Sequence, residues 1–128
     1  REAYRVLRKG GLFIGSVNNR FIYCKNHELK EEKYRLFGKN MKTGNRYIVW
    51  GGQSKGHISH EFTLKELREA LANGNFSAIK ILGIFNLMDK YEMDTLKNKQ
   101  DFVKLQIKFA EKEEYINNSS DFFFVAKK

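Results

Sequence analysis

The sequence of 128 residues contains no proline and a single cysteine, Cys24. One cysteine excludes an internal disulfide, and a chain without disulfides suits the reducing cytoplasm, which is the compartment expected here. The missing proline accompanies an abundance of Lys, Asn and Ile and is read as compositional bias without functional content. No stretch reaches the roughly 20 apolar residues of a membrane span, and the N-terminus lacks the apolar centre of a secretory signal. No membrane partner is expected. A compact run of five or more basic residues is lacking too. The formal charge of +9, from 24 Lys and Arg against 15 Asp and Glu, attracts anionic partners in general. Yet the cations are interleaved with Glu, as in "NHELKEEKYRLFGKNMK" and "FAEKEEY", which is the pattern of a solvated helix face. Nucleic acid is therefore not the expected partner, and a non-catalytic basic module that binds RNA is kept as the alternative reading.

What is present is a globular composition. With 41% hydrophobic residues and eleven Phe, the chain can fill one core, and a single domain is expected. In "REAYRVLRKGGLFIGSVNNR", Arg1 to Arg8 reads as the last turns of a helix, Gly10-Gly11 as its stop, and Leu12 to Val17 as a buried strand. Residues 20–57 read as an irregular insert. Within it "ELKEEKYRLF" predicts a short helix carrying Leu29, Tyr34 and Phe37, and "NRYIVWGG" alternates like a strand that stops at Gly51-Gly52. Phe21, Tyr47 and Trp50 are read either as the insert's own small core or as an aromatic wall for a planar ligand.

The segment after the insert is clearer. In "HEFTLKELREALANGNF", Thr63 and Glu66 have capping-box spacing, Leu64, Leu67 and Leu71 recur at the helical period, and Gly74 suits the left-handed position that ends a helix. A helix is predicted from Leu64 to Asn73. "SAIKILGIFNL" is so continuously apolar that it predicts a strand buried on both faces. "DFVKLQIKFAEKEEY" predicts a second helix with Phe102, Leu105 and Phe109 on one stripe, widened by Val103 and Ile107. After "NNSS", "DFFFVAKK" predicts a terminal strand whose three Phe must be largely covered.

These phrases carry a resemblance. "REAYRVLRKGGLFIG" resembles the "E…RVLKPGG" helix, turn and fifth strand of class I S-adenosylmethionine-dependent methyltransferases of the type 11-like group, with Lys9 standing directly before Gly10 and the usual Pro absent. "HEFTLKELREALANGNFSAIKILG" is similar to the helix and sixth strand of that family, and "SSDFFFVAKK" to its seventh. The resemblance covers nearly all of the chain except the insert. It implies an α/β fold: the C-terminal part of a Rossmann-like domain over residues 1–128, with a three-stranded sheet in the order 5-7-6, strand 7 antiparallel, flanking helices, and a substrate-side insert at 20–57.

The same resemblance implies a function. The chain would be the acceptor side of a methyltransferase acting on a small molecule, with S-adenosylmethionine the cofactor of the complete parent protein. No cofactor is expected on this chain alone, because its glycines precede a strand where a cofactor turn follows one. Asn18, Asn19 and Arg20, in the loop after the fifth strand, would then line the acceptor pocket. The outer edge of residues 12–17 would lack its family neighbour and pair with a second copy, and Tyr4 and Leu7 would be without partners. Two further residues are candidates on chemistry. His57 and His60, beside Glu61, offer imidazoles for proton transfer to or from the acceptor; the competing reading has His60 and Phe62 stapling the next helix. Cys24, His27, His57 and His60 form a CxxH…HxxH set that can be drawn as zinc ligands, but nothing in the sequence brings the pairs together, and no metal is expected.

Overall fold

The computed structural model describes residues 2–29, 32–49, 55–85 and 95–128; Trp50, the Gly51-Gly52 stop and the side chain of Leu29 lie outside the described residues. The fold is mixed α/β. A three-stranded sheet contains β1 (Leu12–Asn18), β4 (Ser77–Ile84) and β5 (Asp121–Lys127) in the order β1-β5-β4. The last strand lies antiparallel between the other two, pairing Gly15 with Phe124 on one side and Ile81 with Phe124 on the other. A smaller antiparallel pair joins β2 (Asn45–Ile48), within the predicted insert, to β3 (His57–His60), so the insert's structure runs past its predicted end at residue 57.

One face of the larger sheet holds the core. Because side chains alternate along a strand, Phe122, Phe124 and Ala126 point to the same side as Ile81, and all four are buried. They meet Leu64, Leu67 and Leu71 of α4 (Leu64–Asn73) and Ile116 of α6 (Glu113–Asn117). α4 has the bounds and the capping box that its sequence predicts, but it ends differently. Thr63 Oγ1 accepts the Glu66 N–H at 3.2 Å, while Glu66 accepts the Thr63 N–H at 2.9 Å. At its other end Gly74 keeps φ −79°, and the left-handed residue is Asn75 at φ 68°. Space explains the glycine: a Cβ there would sit 3.2 Å from the Ala70 carbonyl oxygen and from the Phe76 ring.

Tyr4 and Leu7 are not without partners. Both pack on the core, Tyr4 within α1 (Glu2–Val6) and Leu7 just after it, and the Tyr4 ring meets Phe76 edge-on at 5.3 Å. The last residue secures this helix: Lys128 Nζ donates to the Leu7 carbonyl at 2.7 Å and lies 4.6 Å from the Tyr4 ring, and Gly10 N–H bonds to the Lys128 carbonyl.

The other sheet face is more open than its apolar sequence predicts. Leu12 and Ile14 are about half exposed, and β4 has only Ile81 and Gly83 buried. A continuous apolar run thus has one covered face. The predicted helix over 101–115 is divided: α5 (Lys99–Phe109) buries none of its residues, and after Ala110 the chain turns into α6. Its stripe of Phe102, Leu105 and Phe109 is partly exposed. Among the described residues no helix is long and apolar enough to cross a membrane.

Candidate functional site

Parallel strands β1 and β4 end on the same side of the sheet, and that end is where ligands of open α/β sheets bind. The chain leaves β1 through Asn18, Asn19 and Arg20. Asn18 closes β1 opposite Asp121, and its carbonyl accepts the Phe62 N–H at 3.0 Å. Asn19 is buried. Its Oδ1 accepts the Phe21 N–H and so caps α2 (Arg20–Cys24), and its Nδ2 donates to the carbonyls of Asn117 and Ser119 at 3.0 and 2.8 Å. One amide therefore ties the end of β1 to the loop that enters β5.

Arg20 is buried as well, with a side chain 4% exposed. Its guanidinium donates to the Glu61 carbonyl at 3.1 Å, to the Met41 carbonyl at 3.3 Å, and to the Glu66 carboxylate of the α4 capping box. Close approach to Gly44 makes this possible, since a Cβ at that left-handed position would lie 2.8 Å from both Arg20 Cζ and the Glu61 carbonyl oxygen. Gly44 ends α3 (Tyr34–Thr43), so the turn that stops this helix also admits the arginine.

A second arginine completes the centre of the insert. Arg46 on β2 reaches Glu28 at 3.5 Å and Glu61 at 3.4 Å, and Asn40 Nδ2 donates to Glu28 Oε1 at 2.6 Å. Glu28, which lies in a π-helical turn over Lys25–Leu29, is 2% exposed, and Glu61 is 0% exposed. Each keeps one carboxylate oxygen without a hydrogen-bond partner among the described residues. Burial pushes the Glu61 carboxyl up from its ordinary value; Arg46 pulls it back down and Glu28 adds to the rise, with the net shift upward. For Glu66 burial acts upward too, but the hydrogen bonds from Thr63 and Arg20 outweigh it and hold the group low. Burial, then the charge and hydrogen bond of Glu28, pushes the Cys24 thiol up to about 12. The thiol stays protonated near neutrality and is no nucleophile.

The histidines stand outside this network. His57 and His60 are three apart on an extended strand and so lie on opposite faces of β3; both are exposed. His60 Nδ1 is 2.8 Å from Asn45 Oδ1, and its ring meets Phe62 edge-on at 4.7 Å, the contact that staples the approach to α4. Cys24 is fully buried while His27 is exposed beside Tyr23. Among the described residues no three His, Cys, Asp or Glu side chains gather as a metal site. The expected aromatic centre of the insert is not formed by Phe21 and Tyr47, which are 46% and 64% exposed. Tyr34 is exposed too. The insert closes over charges instead.

Sequence reasoning missed Glu28, Asn40 and Arg46. Alternation in "NRYI" suggests Tyr47 inward, but the inward-facing residues are Arg46 and Ile48, and nothing local in the pattern marks the choice. Glu61 was visible only as a neighbour of the two histidines. No known family model matches the chain, and no curated protein matches it either.

Proposed function

We propose that the chain forms the acceptor side of a class I S-adenosylmethionine-dependent methyltransferase, in a Rossmann-like arrangement, transferring a methyl group to a small molecule. The observation that supports this most is the strand order, β1-β5-β4 with the last strand antiparallel in the middle, which is the 5-7-6 order implied by the sequence resemblance. In this reading Asn18, Asn19 and Arg20 shape the floor of the acceptor site. Asn19 and Arg20 act by positioning, since their polar atoms are engaged by the protein itself, and the exposed imidazoles of His57 and His60 are the candidates for proton transfer to or from an acceptor.

Among the described residues, the glycines in and just before β1 and in β4 do not fit the cofactor. Gly10 and Gly11 spend their N–H groups on Lys128 and Arg8 in the turn before β1. Gly15 lies beneath the Phe124 ring, and Gly83 lies against Ile116 and Ser119. None of these four opens a cradle after a strand. S-adenosylmethionine is accordingly assigned to other residues of a parent enzyme. Calorimetry tests the proposal: these 128 residues should show no micromolar affinity for S-adenosylmethionine, and a product of the same reading frame extended upstream through a strand and Gly-rich turn should bind it. An extended product that carries such a turn and fails to bind contradicts the reading.

A partner follows from the same arrangement. Among the described residues no strand pairs with the outer edge of β1, and Leu12 and Ile14 are about half exposed there. Pairing with a second copy would satisfy that edge. Sedimentation should find a dimer that Ile14→Lys returns to monomer; a monodisperse wild-type monomer at high concentration contradicts it.

A further inference from the structure

We infer that the open face at the carboxyl end of β4 is a binding site for a small, uncharged, largely apolar molecule bearing one hydrogen-bonding group. A cavity of about 300 Å³ lies between this face and α5, bounded by Leu82, Ile84, Val103, Gln106, Ile107 and Glu111. Its size is at the lower end of the range of about 300–1,000 Å³ for small-molecule pockets, and its lining has their usual character, apolar walls with a few polar groups.

Three observations define the ligand. First, α5 buries no residue, and Val103 and Ile107 remain 41% and 68% exposed while facing the cavity. Apolar walls left wet on both sides gain by excluding water, so the body of the ligand is apolar. Second, the charges at the rim cancel: Lys80 Nζ lies 2.6 Å from Glu111 Oε1. Among the described residues that line the cavity, no unpaired charge is left to hold an ionic ligand. Third, the half-buried Gln106 side chain lines the cavity and has no hydrogen-bond partner among the described residues. A carboxamide offers both a donor and an acceptor, and it sets the single polar contact. The wall is held in place, because Gly83 N–H donates to the Ala110 carbonyl at 2.8 Å and so fixes the end of α5 against the strand. This site lies on the strand farthest from the Arg20 network and does not depend on the methyltransferase reading.

The test uses the whole chain and the neutral fluorophore N-phenyl-1-naphthylamine, whose rings are apolar and whose one N–H suits Gln106. The expected result is saturable binding at one probe per chain, with a blue-shifted emission. Ile107→Glu and, separately, Val103→Gln should each weaken binding at least tenfold, and Gln106→Ala about threefold. Leu105→Glu lies on the same helix, at a residue 44% exposed that does not line the cavity, and should bind as wild type does. Circular dichroism of each variant confirms that the fold is kept, as the exposure of these residues leads one to expect. Absence of saturation in the wild type overturns the inference, and so does an equal loss in Leu105→Glu and Ile107→Glu.

Discussion

Around β5 the interior consists of aromatic rings, with Phe122 1% and Phe124 4% exposed and Phe13 stacked on Phe76 at 5.1 Å. Around Arg20 and Arg46 it consists of charges, with Glu28 and Glu61 closed from solvent and Asn40 of α3 donating to Glu28. Apolar packing is non-directional and tolerates adjustment, whereas a buried charge must find its partner in a set geometry or be strongly destabilising. The sheet is thereby a scaffold that stands on burial. The insert, which carries the polar residues nearest the end of β1, holds a specific shape through a few directed bonds, at some cost in stability.

The contrast can be broken from either side. The largest effect is expected in the scaffold: Phe122→Ala should cost about 3–5 kcal/mol, a large share of the roughly 5–15 kcal/mol of a typical domain, and urea denaturation should show the whole chain destabilised. Next comes Arg46→Met. It leaves Glu28 and Glu61 buried without their cation, and because the Arg46 side chain keeps 17% exposure the loss should be about 2–3 kcal/mol, below the full figure for a sealed pair. Thr63→Ala removes one cap and should cost about 1 kcal/mol by thermal or chemical unfolding.

The smallest effect sharpens the comparison through pH. Glu61 has a raised value in the folded chain, so its contribution is present at low pH and is lost as pH rises through that raised value. Glu66 has a lowered value and works in the opposite sense, its contribution being lost as pH falls through it. Unfolding measured from the ordinary Glu range up to neutrality should therefore show wild type losing stability relative to Glu61→Gln as pH rises. Parallel curves for the two proteins would mean that Glu61 does not titrate in that range.

Much of the scaffold was legible because its signals are local or periodic. Thr63 and Glu66 announce the start of α4 three residues apart, and the leucine spacing announces its buried face. The extent of burial was less legible: "SAIKILGI" is apolar on both faces, but only a second layer could cover the outer one, and among the described residues α5 stands open beside it. The insert was hardest. Its fold rests on Glu28, Arg46 and Glu61, far apart in sequence, and a charged residue in a polar stretch looks the same whether it faces water or a buried partner. Even Asn19 and Arg20, singled out as pocket residues, turned out to have their polar atoms committed to Ser119, Asn117, Met41, Glu61 and Glu66.

Hydrogen exchange followed by mass spectrometry on Arg20→Met tests most directly whether charges hold the insert while the sheet stands alone. Loss of the guanidinium should remove protection from residues 20–29, 32–48 and 57–62 and leave β1, β4 and β5 protected as in wild type. Protection lost equally across the sheet, or unchanged in the insert, would contradict the account.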